Sequence, residues 1–144
     1  MVKTMIWRVL AIAAFLAAAG AANAQRASLE AGKHRLEVEV AADDRTRNFG
    51  LMYRSHLPSD QGMLFVYSSP TRICMWMKNT LIPLSVAFLD DDGRILNIED
   101  MTPQSEESHC AVQPVRYALE MNQGWFAGHG LKAGDLIRGV KQAN

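Results

Sequence analysis

Apolar positions in this chain fall into one long run followed by many short groups. Val9 to Ala22 is unbroken small or apolar sequence, whereas later apolar positions come a few at a time between turn residues. Leu36, Val38 and Val40 alternate with Glu37 and Glu39, the period-two pattern of a strand with one buried face. Asp43 and Asp44 then offer an N-cap, and Arg45 to Tyr53 suits a short helix presenting Phe49, Met52 and Tyr53 inward, with Gly50 as a weak point. Met63 to Tyr67 predicts a buried strand, Ser68-Ser69-Pro70 a turn and Ile73 to Met77 another strand. Leu81 to Leu89 is the longest apolar segment of the later chain, and Pro83 confines its beginning to a strand start or an edge.

Asp91-Asp92-Gly93 closes a hairpin into Arg94 to Met101, and Thr102 to Ser108 is polar and loop-like. Tyr117, Leu119 and Met121 alternate as a further strand, and a turn-rich passage with Gly128, Gly130 and Gly134 leads to a last strand at Asp135 to Val140. Strands at such short intervals predict a mainly β, sandwich- or barrel-like fold with one or two short helices. The repeated strand-helix alternation of a doubly wound sheet is missing.

The N-terminal run has the form of a secretory signal. Lys3 and Arg8 precede it without an acid, and it ends in Ala22-Asn23-Ala24, so residues 1–24 are expected to be removed and Gln25 to begin the mature chain. The other reading is a retained anchor, but an apolar run of about 14 residues is short for a bilayer core that needs about 20. Residues 25–144 then form a single domain, with no membrane span once the signal is gone. Without Lys3 and Arg8, 13 basic residues face 15 acidic ones, a formal charge of −2. Such a balance gives no electrostatic reason to expect nucleic acid as a partner, and a monomer is expected.

Export also bears on Cys74 and Cys110, the two cysteines of the chain. In an oxidising compartment a disulfide between them is favoured over two buried thiols, and the absence of a Cys-x-x-Cys argues against a redox catalyst. Met75-x-Met77 with His109 and Cys110 admits a copper reading, but core filling accounts for those methionines, and no metal or other cofactor is expected.

Several short motifs stand in order: Gly50-Leu51-Met52-Tyr53-Arg54, Gly62-Met63-Leu64-Phe65, Trp76-Met77-Lys78-Asn79-Thr80 with Pro83-Leu84, then Tyr117-Ala118-Leu119-Glu120 and Gly134-Asp135. Together they resemble the bacterial and archaeal family called domain of unknown function 192, from about Leu36 to Asp135. The resemblance implies a compact, jelly-roll-like β domain, often exported, whose activity is not established. Arg47 matches an arginine usual in that family. Ser85 stands where the family commonly has aspartate, which puts in doubt any mechanism that needs an acid there.

The candidate chemistry is a ligand rim. Trp76, Lys78, Asn79 and Thr80 combine a flat apolar surface with donors and acceptors at a strand end, suited to a sugar, a carboxylate or a peptide terminus. The plainer reading is turn chemistry, with Trp76 in the core and Lys78 solvated. Arg47 and Arg54 either add an anion-binding fork or form ion pairs with acids such as Glu37, Glu39 or Glu120. No nucleophile elbow, metalloprotease motif or paired-carboxylate motif is present, and Asp90-Asp91-Asp92 suits a solvated turn better than a calcium loop. The leading expectation is an exported cell-envelope domain that binds a small or cell-wall ligand. The alternatives are a small envelope hydrolase or transferase acting on a sugar or peptide, and a structural partner in an envelope assembly.

Overall fold

The computed structural model describes residues 24–143. The signal-peptide reading therefore lies outside the described residues apart from Ala24. The chain runs β1 (Arg26–Ala31), β2 (His34–Ala41), α1 (Asp44–Phe49), β3 (Gln61–Thr71), β4 (Cys74–Met75), β5 (Leu84–Leu89), β6 (Ile95–Met101), β7 (His109–Cys110), β8 (Val115–Asn122), α2 (Trp125–Gly128) and β9 (Ile137–Arg138), and closes in a 3-10 turn at Val140–Ala143.

Seven strands form one sheet in the order β6-β5-β8-β3-β2-β1-β9, and β4 pairs with β7 in a separate ribbon. The neighbours are antiparallel except β2 and β3, which run parallel with Val38 opposite Gly62. That parallel step requires a crossover, and residues 42–60, including α1, supply it over one face of the sheet. The sheet also curls: a bridge between Arg94 and Leu136 joins its two edges at one point, helped by Ile137 N–H donating to the Gly93 carbonyl at 2.8 Å. The mainly β, barrel-like expectation with two short helices is thus met.

Curling gives the sheet two buried faces. Leu36, Val38, Leu64, Val66, Tyr117, Leu119 and Met121 pack inside with Trp125, Phe126 and Ile137. Met63, Phe65, Val86, Phe88 and Ala118 face the other way, under Leu51, Leu57, Ile73, Met75 and Met77. Hence Ala118 and Glu120 are buried as well as the residues between which they alternate. The period-two pattern correctly located β8 but implied only one covered face.

Local chemistry explains the departures from the expected elements. Asp43 caps α1, accepting from Thr46 N–H at 2.9 Å in a capping box, and Gly50 with φ 50° ends the helix. Ending there, the helix is shorter than the pattern suggested, and Phe49 and Tyr53 are 54% and 62% exposed rather than inward; Leu51 and Leu57 fill the core instead. Ser68-Ser69-Pro70 belongs to the end of β3, where the pairing with β8 shifts register between Val66 and Thr71 and so accommodates a proline. The strands expected at Ile73–Met77 and Asp135–Val140 shrink to two residues each, and β1 and α2 form where no strong pattern stands.

Gly62 is a point of close approach between β3 and β8. A Cβ there would overlap the Glu120 carbonyl oxygen and the Met121 sulfur. Gly62→Ala is expected to lower stability by about 1–3 kcal/mol, the range for overpacking, measured by urea unfolding. An unchanged midpoint would mean that the two strands yield at no cost.

Candidate functional site

The crossover and the β4–β7 ribbon leave a cavity of about 230 Å³ between themselves and the second face of the sheet. Arg47, Asn48 and Phe49 come to it from α1, Gly50, Leu51 and Met52 from the following turn, and Phe65 and Tyr67 from β3. Cys74 and Met75 of β4, then Trp76 and Thr80, form the opposite wall. That wall is stapled: Cys74 and Cys110 face each other across the ribbon and are joined in the expected disulfide. The bond also removes the thiolate from the copper set, of which Met77 is fully buried in the core.

Glu120 completes the lining. It sits mid-strand on β8 with Met63 of β3 and Val86 of β5 as register partners, neither of which can neutralise a charge. Its side chain is 5% exposed, and no hydrogen bond or ion pair to its carboxyl is formed among the described residues. Burial therefore pushes its pKa from 4.5 up to about 8, so that the group is largely protonated at neutral pH. Tyr67 is raised as well, first by its own burial, while Arg47 acts to lower it and Glu120 to raise it further.

The six rim candidates divide between this cavity and its surroundings. Arg47, Trp76 and Thr80 line it. Arg47, however, is occupied by the protein: Nη1 donates to the carbonyls of Ala42 at 2.6 Å and Val66 at 2.7 Å, and Nη2 to Asp44 at 2.6 Å. Its guanidinium lies 4.7 Å from the Tyr67 ring centroid, so it ties α1 to β3. Arg54 makes a two-pronged pair with Glu39, both contacts 2.6 Å, in a neighbouring groove that shares only Phe49 and Gly50 with the cavity. The same guanidinium holds the Glu39 carboxyl below the usual range.

Lys78 and Asn79 lie outside the lining. Lys78 Nζ is 3.8 Å from Glu106 and 5.3 Å from the Trp76 ring centroid. Asn79 adopts φ 54°, and its carbonyl accepts from Tyr53 N–H at 2.8 Å, which fastens the turn after α1 to the turn after β4. Thr80 is buried, with Oγ1 donating to the Lys78 carbonyl at 3.2 Å. Turn chemistry thus accounts for Asn79, while Trp76, 48% exposed, is at the mouth of the cavity rather than in the core.

Sequence reasoning weighed Glu120 only as a partner for arginines, and neither Arg47 nor Arg54 pairs with it. The signal that could have marked it is a lone acid in the otherwise apolar stretch Tyr117–Met121. Ser85 belongs elsewhere. It packs on the inner side of the sheet, donating to Asp100 Oδ1 at 2.5 Å and accepting from Gly124 N–H at 2.9 Å. The carboxylate in that place comes from Asp100, the residue paired with Ser85 across β5 and β6.

The family profile of DUF192, described as Uncharacterized ACR, matches residues 27–139. The chain belongs to the DUF192 family. Two solved structures are similar to it. One, named a "putative transcription regulator", comes from Sinorhizobium meliloti 1021; it is 39% identical with a TM-score of 0.74, over 80% of this chain and 92% of that one. The other is a protein of unknown function from Novosphingobium aromaticivorans DSM 12444, 32% identical with a TM-score of 0.72, over 78% of this chain and 83% of that one. No match was found among the curated proteins. The DUF192 motifs of this chain, far apart in sequence, converge on the cavity: Gly50 to Met52, Phe65, Trp76, Thr80 and Glu120 all line it.

Proposed function

We propose that this DUF192 chain is exported, processed after Ala24, and works outside the cytoplasm by binding a small polar ligand in the cavity at Glu120. The observation that carries the binding reading is a carboxyl on a residue only 5% exposed, without a hydrogen-bond partner among the described residues and reached by water only through the cavity whose wall it forms. Burying such a group costs several kcal/mol unless something hydrogen-bonds to it. Trp76 and Phe49, both about half exposed at the mouth, add flat apolar faces of the kind that hold sugar rings or side chains. A sugar or the amino end of a peptide suits this lining better than a carboxylate, because Arg47 is already bound on three sides.

Export is supported by the disulfide, which persists in oxidising compartments. No helix among the described residues is long and apolar enough to cross a membrane. Intact mass of the protein from the producing cell tests processing; a chain that retains residues 1–24 would contradict it.

A hydrolase or transferase is the second reading, favoured by the protonated state of Glu120, which suits a general acid. Glycoside cleavage needs a second carboxyl at hand, and among the residues lining the cavity Glu120 is the one acid. Binding is therefore preferred. Thermal-shift titration with monosaccharides and short peptides tests it: ligands should raise the Tm of the parent and lose that effect in Trp76→Ala. A ligand that shifts both proteins equally would place binding elsewhere.

A further inference from the structure

The cavity wall narrows the ligand to one charge class. Its carboxyl is unpartnered, on a residue only 5% exposed. The same cavity is lined by the aromatic residues Phe49, Phe65, Tyr67 and Trp76. Two of these rings already carry a protein cation, Arg47 on Tyr67 at 4.7 Å and Lys78 on Trp76 at 5.3 Å. Aromatic faces attract cations through the ring quadrupole, and the attraction grows as water is excluded. A ligand anion would instead meet the lone pairs of Glu120 and find three of the five Arg47 donors, both on Nη1 and one on Nη2, taken by Ala42, Val66 and Asp44.

Resting on the reading of this cavity as the ligand site, we propose that its ligand is a small molecule bearing an ammonium group, such as an amino sugar or a peptide N-terminus, which Glu120 holds as a carboxylate with Trp76 flanking it.

The charge balance of that event is definite. The free site holds the proton on Glu120 at neutral pH, and the arriving ammonium favours the ionised form, so the carboxyl proton leaves to solvent as the ion pair forms. The charged or titratable groups that line the cavity with Glu120 are Tyr67 from β3 and Arg47 from α1, whose partner Asp44 is exposed outside it; β5 offers only Val86 as a register partner, and Cys74 of β4 is in the disulfide. Apparent affinity for an ammonium ligand should therefore rise by up to about tenfold per pH unit below about pH 7.5, peak near pH 8, and fall at higher pH as the ligand's own α-amino-type group, with an ordinary pKa of about 8, loses its proton.

Isothermal titration of the oxidised, exported protein decides the matter with matched probes: glucosamine against N-acetylglucosamine, and alaninamide against N-acetylalaninamide. At about pH 6.5, in phosphate and then PIPES, buffers without a primary amine, an amine should bind at least about tenfold more tightly than its acetylated partner and release about one proton. Glu120→Gln, checked for cooperative thermal unfolding, should lose both the preference and the proton. Equal binding of amine and acetylated probes overturns the ammonium assignment and leaves the cavity as a neutral-ligand site. Amine binding unaltered in Glu120→Gln overturns it too. If no probe of either kind binds the parent, the cavity reading falls with it.

Discussion

Glu120→Gln is expected to gain on the parent protein as pH rises, the difference in unfolding free energy widening by roughly 5 kcal/mol between about pH 4.5 and pH 8. The cause is the carboxyl held protonated by burial, with a folded pKa of about 8 against an ordinary value of 4.5 when the chain is unfolded. Below the unfolded value both states carry the proton and the group makes no demand. Between the two values the unfolded chain releases its proton and the folded chain keeps it, so stability falls by about 1.4 kcal/mol per pH unit. Above the folded value both states are ionised and the slope vanishes. Glutamine cannot ionise, so the variant lacks this slope while retaining a polar group at the cavity.

Other carboxyls do not imitate the effect. Glu39, lowered by its bond to Arg54, contributes stability that is present above the ordinary carboxylate range and lost as pH falls, the opposite sign in a lower window. Guanidinium unfolding of both proteins at several pH values measures the difference directly. Parallel stability curves would show that Glu120 is solvated or paired in the folded state and would remove the basis of the cavity reading.

Replacing both Cys74 and Cys110 with serine should cost about 3–4 kcal/mol and lower the Tm by about 10–15 °C. The bond spans 36 residues, and cross-linking a loop of that length removes much of the freedom of the unfolded chain. Its local setting strengthens the expectation, because β4 and β7 are two-residue strands whose registration rests on Cys74 opposite Cys110 and Met75 opposite His109. Differential scanning calorimetry with and without reductant provides the comparison. Loss of the ribbon would also loosen the wall that carries Cys74, Met75 and Trp76, so ligand-induced Tm shifts should shrink in the same variant. Two thiols open to alkylation in unreduced protein, or an unchanged Tm after reduction, would contradict the account.

The local elements were legible to different degrees for identifiable reasons. The hairpin joining β5 and β6 follows from Asp-Asp-Gly at the turn, where Asp90 Oδ1 accepts from Asp92 and Arg94 N–H, both at 2.9 Å. The N-cap of α1 was visible in Asp43 because capping is decided within four residues. By contrast, Phe49 and Tyr53 sit at helical spacing yet face outward, since Gly50 ends the helix before that spacing can apply. Trp76 and Thr80 were singled out by type and line the cavity, whereas Arg54, equally prominent in the sequence, is paired with Glu39.

By itself the sequence determined a mainly β domain, several of its turns, a cysteine pair and, through motifs in order, membership of DUF192. All of these depend on neighbours along the chain or on the order of short patterns. The burial of Glu120 was decided only in three dimensions, by a parallel β2–β3 step that carries residues 42–60 across the sheet and by a disulfide-linked ribbon closing over the same face. An acid between Leu119 and Met121 reads as solvent-facing until something covers its side of the strand. Once covered, it keeps its proton and acquires the need for a partner that the rest of the chain does not supply.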